Sequence, residues 1–174
     1  IRLHSPFAGM IEAIKLVLQS FADHAPEGTR LVVKEHPLDN GVRDWQLETS
    51  DLAERMGIAD RVDYLAWGDI EAIAERAQGM VTVNSTSGTL ALARGVPVVV
   101  LGKAVYDLPD LTFQGGLDRF WTESAPPDAA TFAAFQRVLI DTCLIPGGFF
   151  SDAAIAKVVA HAIARFEGKQ LQPD

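Results

Sequence analysis

The chain has 174 residues, 48% hydrophobic and 22% charged, with a formal net charge of -8. That size and balance describe a soluble globular domain that buries about 70% of the surface its unfolded chain would expose, with no need of a metal or disulfide for stability. The acidic balance, with no basic stripe, argues against nucleic acid as a partner; the single Cys143 rules out an internal disulfide and suits a reducing compartment; and no apolar run approaches the roughly 20 residues that span a bilayer.

The first residues, Ile1-Arg2-Leu3-His4-Ser5-Pro6, do not read as a signal peptide. The chain does not begin with methionine, and it is expected to be a segment of a longer protein. Ser5-Pro6 predicts the start of a first helix, with serine as N-cap and proline at the first helical position. Ile11, Ile14, Leu18 and Phe21 fall on one face of it, and Pro26-Glu27-Gly28 ends it. Leu31-Val32-Val33 reads as a buried strand that stops before Pro37. Trp45, Leu47, Leu52 and Met56 mark a second helix, closed by Gly57. Val62-Asp63-Tyr64-Leu65 is a strand, and Gly68-Asp69 caps a helix carrying Ile70, Ile73, Ala74 and Ala77. Met80-Val81-Thr82-Val83 is the next strand. A tight polar loop follows, then a short helix through Leu90, Leu92 and Ala93, then a strand at Pro97-Val98-Val99-Val100-Leu101. Alternating helices and short apolar strands predict an α/β fold, a parallel sheet with helices on both faces. Residues 102–127 read as a long loop of functional character, and residues 128–174 as terminal helices near 128–143 and 152–166. One domain over 1–174 is expected. His24 and His161 are expected at the surface, and Cys143 in a core with Val138, Leu139, Ile140 and Leu144.

Two polar clusters follow strand ends, where open α/β sheets bind ligands. In Asn84-Ser85-Thr86-Ser87-Gly88, amides at a helix start and three hydroxyls offer a phosphate cradle. Gly88 leaves room for a ligand, so a larger side chain there should block binding without unfolding the protein. The same residue types also serve as plain helix caps. The cluster lacks the Gly-Lys-Ser/Thr of a Walker loop and the pattern of a dinucleotide loop. In Lys34-Glu35-His36-Pro37, proline pushes His36 to an extended conformation at the cleft, and Lys34 points to the same side. A cation beside an imidazole suits a phosphate or a leaving group; a solvated lysine and a loop histidine are the plainer alternative. Tyr106, Asp107 and Asp110, in the long loop, are candidates for sugar or acceptor contacts. No His, Cys or carboxylate spacing suggests a metal, and no cofactor is expected.

With His4-Ser5-Pro6-Phe7, Val33-Lys34-Glu35-His36-Pro37-Leu38, Val83-Asn84-Ser85-Thr86-Ser87-Gly88-Thr89-Leu90-Ala91-Leu92, Gly95-Val96-Pro97, Leu101-Gly102-Lys103-Ala104-Val105-Tyr106-Asp107, Pro109-Asp110-Leu111-Thr112-Phe113 and Gly115-Gly116-Leu117 in this order, the chain resembles the capsule polysaccharide biosynthesis and export family of the KpsS type. The resemblance implies a Rossmann-like C-terminal lobe of a two-lobed GT-B glycosyltransferase, similar to the Kdo transferases that build the lipid-linked capsule linker. It implies CMP-Kdo as donor, a lipid-linked glycan as acceptor, capsule assembly proteins as partners and a cytoplasmic place, peripheral to the inner membrane. The His-Pro and Ser-Ser/Thr pairs also resemble those of some bacterial sialyltransferases. On that analogy His36 and Pro37 line the cytidine monophosphate site, Ser85 and Thr86 hold its phosphate, and the catalytic residue is unassigned apart from His36. Leu90 stands where many such enzymes place a ribose-binding glutamate, so the ribose contact is unassigned. A missing N-terminal lobe would supply the acceptor site and a catalytic carboxylate, so the isolated segment is expected to bind nucleotide weakly and to be inactive. The apolar face of the last two helices would pack on that lobe, by analogy with GT-B proteins. A non-catalytic capsule export or assembly protein, and a CDP-glycerol-type transferase, are the alternatives.

Overall fold

The computed structural model describes residues 4–145 and 147–168. Residues 1–3, at the start of the expected domain, and residues 146 and 169–174, within the expected terminal segment, lie outside the described residues. Helices and short parallel strands alternate: α1 (Met10–His24), β1 (Leu31–Lys34), α2 (Trp45–Arg55), a 3-10 turn (Ala59–Arg61), β2 (Val62–Leu65), α3 (Ile70–Arg76), β3 (Met80–Thr82), α4 (Ser87–Ala93), β4 (Val98–Val100), α5 (Leu117–Glu123), α6 (Ala129–Thr142) and α7 (Asp152–Phe166). They group into two compact units, Ile1–Phe132 and Ala133–Asp174, divided inside α6.

In the first unit α1 begins at Met10 and not at Pro6. Ser5 Oγ accepts the Phe7 N–H at 3.1 Å, a local turn that keeps the chain out of the helix. Glu12 reaches back from the first helical turn to accept the Ala8 N–H at 2.8 Å. Leu18 and Phe21 of α1 are fully buried against Ala53 of α2 and Ile58, worth about 1.5–3 kcal/mol for each large side chain. Arg61 fastens this corner. Its guanidinium lies 4.5 Å from the Phe21 ring centroid and donates to the carbonyls of Pro26 at 2.9 Å and Thr29 at 3.2 Å. Asp44 and Asp69 cap α2 and α3, accepting the N–H groups of Leu47 and Glu71.

The strands are parallel, but the single expected sheet is not what forms. β1 pairs with β2, Leu31 opposite Val62 through Lys34 opposite Leu65. β3 pairs with β4, Met80 opposite Val98 through Thr82 opposite Val100. These are two separate two-stranded sheets. Apolar side chains of α1 (Ile14, Val17), α3 (Ile73) and α5 (Phe120) line a cavity that borders both β1 and β3.

The expected loop 102–127 contains α5, which packs on α1. Trp121 meets Phe21 edge-on at 5.3 Å, and its Nε1–H donates to Ser20 Oγ at 2.9 Å. Ser20 in turn donates to Asp118 at 2.6 Å. Ahead of α5, Tyr106 and Leu111 are buried, and the Phe113 N–H donates to the Val98 carbonyl at 2.8 Å. Much of this segment is therefore a packing element.

In the second unit Ser151 caps α7 through the Ala154 N–H at 3.3 Å. Arg165 of α7 donates to the carbonyls of Ile140 at 2.6 Å and Asp141 at 3.0 Å, closing the C-terminal end of α6. Neither α6 nor α7 has a buried residue. Cys143 is consequently exposed and not core, because its apolar neighbours Val138, Ile140 and Leu144 are exposed too. His24 is at the surface, 3.6 Å from Asp118. His161 is half-buried, and its shielded Nδ1 has no hydrogen-bond partner. Among the described residues no helix is long and apolar enough to cross a membrane.

Candidate functional site

β1 ends at Lys34 and β3 at Thr82, so both polar clusters leave the carboxyl ends of parallel strands. Both border one cavity of about 1050 Å³. Lys34, His36, Pro37, Ser85, Thr86 and Ser87 line it, together with Glu35 and Leu90. Asn84 and Gly88 do not, nor do Tyr106, Asp107 and Asp110. All of β1 and β3 borders this space, but only Leu65 of β2 and nothing of β4. The cavity is thus bordered by one strand of each two-stranded sheet, at strands whose carboxyl ends carry the two polar loops.

The β1 loop is fixed by its own hydrogen bonds. The Glu35 N–H donates to the Leu65 carbonyl at 3.0 Å, prolonging the β1–β2 ladder. Lys34 Nζ donates to the carbonyls of Glu35 at 2.7 Å and Ala66 at 3.4 Å. The ammonium therefore sits on strand-end carbonyls and brings positive charge to the cavity from there. The exposed His36 ring accepts the Leu38 N–H on Nδ1 at 3.1 Å. A neutral imidazole with an accepting Nδ1 carries its proton on Nε2, which leaves a donor for an anionic ligand. On the other face of β1, Tyr64 Oη donates to Glu35 Oε2 at 2.5 Å. Burial first, and the Glu35 carboxylate second, hold the Tyr64 phenol well above its ordinary range, so it is a neutral donor.

The β3 loop is more self-contained than its sequence suggests. Ser85 N–H donates to Thr82 Oγ1 at 3.0 Å. Ser85 Oγ accepts the Ser87 N–H at 3.2 Å and donates to Ser87 Oγ at 3.0 Å. The N–H groups of Gly88 and Thr89 donate to the carbonyls of Ser85 and Thr86 at 3.1 and 3.0 Å. Local capping thus accounts for several amides of the expected cradle, and the hydroxyls of Ser85, Thr86 and Ser87 carry the loop's capacity towards the cavity.

Gly88 has a different duty from the one its position suggests. A Cβ there would lie 2.5 Å from Tyr106 Oη and 2.6 Å from its Cζ. The glycine admits a buried tyrosine, whose hydroxyl donates to the Ser85 carbonyl. Burial, with the charge of Asp107, pushes the Tyr106 phenol up to about 12. Tyr106 is therefore a prop beneath the β3 loop. A larger side chain at position 88 would unseat this prop, contrary to the expectation of a folded but blocked site. Asp107 accepts from Thr112 Oγ1 at 2.7 Å and Gln114 Nε2 at 3.2 Å, bracing its own segment after β4. Asp110 takes a positive φ of 66°, and its carbonyl accepts the Asp128 N–H at 2.8 Å. The His4 carbonyl accepts the Lys103 N–H at 2.8 Å, and a Cβ at Gly102 would lie 2.5 Å from that oxygen. The first described residues are thereby seated against the turn after β4. Sequence reasoning placed Glu35 in the strand-end cluster and Tyr64 on a strand but gave neither a role. The signal was their register: Val33 opposes Tyr64, and Glu35 lies on the face that Val33 occupies.

Parallel strand pairs with intervening helices define an α/β domain, with two strand-end loops on one cavity. The chain belongs to the capsule polysaccharide biosynthesis protein family, whose model matches residues 1–150. It is 37% identical over 152 residues to the capsule polysaccharide modification protein LipB of Neisseria meningitidis, covering 87% of this chain and 36% of that protein. It is 35% identical over 140 residues to the capsule polysaccharide export protein KpsS of Escherichia coli, covering 80% of this chain and 36% of that protein. A more distant relative, protein FixF of Sinorhizobium fredii, is 29% identical over 115 residues, 66% of this chain and 26% of that protein. The chain thus spans about a third of the length of LipB and KpsS. No solved structure matches it with significant similarity.

Proposed function

We propose that this chain is the Rossmann-like, nucleotide-sugar-binding lobe of a GT-B capsule glycosyltransferase that transfers Kdo from CMP-Kdo to a lipid-linked glycan. The observation that carries the reading is the meeting of the Lys34–Pro37 and Ser85–Ser87 loops on one cavity, each at the carboxyl end of a parallel strand, in a chain of the capsule family. On this reading the hydroxyls of Ser85, Thr86 and Ser87 and the Nε2–H of His36 hold the donor phosphate, while Lys34 supplies positive charge behind it. The acceptor hydroxyl oxygen attacks the anomeric carbon, the carbon–oxygen bond to the phosphate breaks, and CMP leaves with the negative charge. The hydroxyl proton passes to a base supplied by a second lobe. That lobe would also cover the exposed apolar residues of α6 and α7, such as Val138, Val159 and Ile163. The whole protein would work in the cytoplasm, peripheral to the inner membrane, beside capsule assembly proteins.

The test is a transfer assay on the full-length protein with CMP-Kdo, CDP-glycerol and UDP-sugars as separate donors and a lipid-linked acceptor. Turnover with CMP-Kdo alone is the expected result. Turnover with CDP-glycerol would reassign the donor. A protein that is folded, binds none of the three and turns over none would fit a non-catalytic export role, as the name of the KpsS relative suggests.

A further inference from the structure

Glu35 is a half-buried carboxylate that lines the same cavity as Ser85, Thr86 and Ser87. Among the described residues no cation pairs with it: Lys34 Nζ binds the Glu35 carbonyl and leaves the carboxylate alone. Its Oε2 takes the Tyr64 hydroxyl at 2.5 Å. Tyr64 sits on the neighbouring strand opposite Val33, two residues before Glu35, and so aims the carboxylate from a rigid ladder. Among the described residues Oε1 takes no hydrogen bond, so Glu35, a residue of the cavity lining, keeps acceptor capacity. A carboxylate in that place repels phosphate, so the part of a ligand beside it must present neutral donors. Leu90, which also lines the cavity, has no group to meet such donors.

We propose that Glu35 is the acceptor for the uncharged donor groups of the nucleoside, either a ribose hydroxyl or the exocyclic amine of the base, and that Tyr64 is the positioning residue that aims it. The inference rests on the nucleotide reading above and assigns its missing specificity contact. Phosphate and nucleoside are then divided between the two loops. Hydroxyls after β3 and the His36 ring take the anion, while the Glu35 carboxylate takes the sugar or base.

The experiment uses the full-length protein, with calorimetric titration of CMP, 2′-deoxy-CMP, UMP and inorganic phosphate against wild type, Glu35→Gln and Tyr64→Phe. Glu35→Gln should weaken CMP about tenfold or more, as loss of a hydrogen bond to a charged group does. It should leave phosphate affinity unchanged or tighter, because a negative charge has gone. In wild type, weaker binding of 2′-deoxy-CMP than of CMP assigns the contact to the ribose, and weaker binding of UMP assigns it to the base amine. Whichever discrimination wild type shows should collapse towards one in Glu35→Gln. Tyr64→Phe should reduce the same discrimination by about threefold, with phosphate untouched. A purely structural cross-strand pair predicts something else: a lower melting temperature, and one equal factor of loss across all four ligands. That pattern overturns the inference, as does unchanged CMP affinity in Glu35→Gln. If wild type binds CMP and Glu35→Gln binds it equally, only the role of Glu35 is wrong. If wild type binds no nucleotide, the nucleotide reading falls and takes this assignment with it.

Discussion

Gly88→Ala tests whether the β3 loop stands on Tyr106. The added Cβ would lie 2.5 Å from Tyr106 Oη, 2.6 Å from Cζ and 2.7 Å from Cε2. Ordinary carbon contacts are about 3.5–4.0 Å, so the ring must retreat by about 1 Å. It is 2% exposed and has nowhere open to go. Overpacking of this kind costs about 1–3 kcal/mol, and three close ring atoms place it at the upper end. Alanine also gains about 0.5–1 kcal/mol over glycine within a helix, which leaves a net loss of about 2 kcal/mol. For a chain of this length that lowers the melting temperature by about 4–8 °C. The decisive comparison is a double-mutant cycle by thermal denaturation with Tyr106→Leu, which keeps an apolar side chain but lacks the three clashing atoms. In that background Gly88→Ala should cost nothing and should recover the helix-propensity gain. Equal destabilisation in both backgrounds would refute the reasoning, since Tyr106 would then have no part in the glycine requirement.

Three further outcomes follow from the same geometry. Arg61→Ala should lower stability by about 2–3 kcal/mol, because charge-assisted hydrogen bonds to the carbonyls of Pro26 and Thr29 and the stacking on Phe21 go together. Arg61→Lys should recover little of it in urea denaturation, since an ammonium cannot reproduce the planar fork. Ser85→Ala should cost about 1 kcal/mol as a lost turn hydrogen bond to the Ser87 N–H and should also weaken CMP in calorimetry; lost stability with unchanged affinity would reduce the loop to a structural turn. Tyr64 and Tyr106, the two tyrosines of the chain, are both held above their ordinary phenol range. A raised folded value means stability that is complete below the unfolded pKa of about 10 and lost as pH rises through the folded value, about 12 for Tyr106. Phenolate absorbance should therefore appear together with alkaline unfolding, and phenolate forming in a still-folded chain near pH 10 would contradict both burials.

Much of the element order was legible in the sequence. Val62–Leu65 and Asp152–Phe166 announce themselves by apolar pattern and by the caps before them. The helix at 117–123 was also legible in principle, since Leu117, Phe120 and Trp121 fall on one helical face after Gly116. It was hidden by the glycine and proline pairs that flank it. Ser5-Pro6 misled because a serine hydroxyl can close a turn on Phe7 as readily as it caps a helix. The partition into two sheets could not be read, because pairing between strands far apart in sequence leaves no local mark. At the site, both motifs lie at strand ends, and Lys34 to Pro37 and Ser85 to Ser87, though not Asn84 or Gly88, line one cavity. The use of Gly88 for Tyr106 depends on contact across 18 residues of sequence and leaves no local mark. Cys143 was misjudged because apolar neighbours in sequence do not make a core when the helix they belong to buries nothing.

The central claim is that the loops after β1 and β3 form one nucleotide site. Calorimetric titration of the full-length protein with CMP and UMP, in wild type and in His36→Ala, tests it most directly. The account predicts tighter binding of CMP than of UMP, and about a tenfold loss of CMP affinity in His36→Ala with the melting temperature preserved. Equal affinity for the two nucleotides would remove the cytidine assignment. A folded wild-type protein that binds neither would contradict the claim itself.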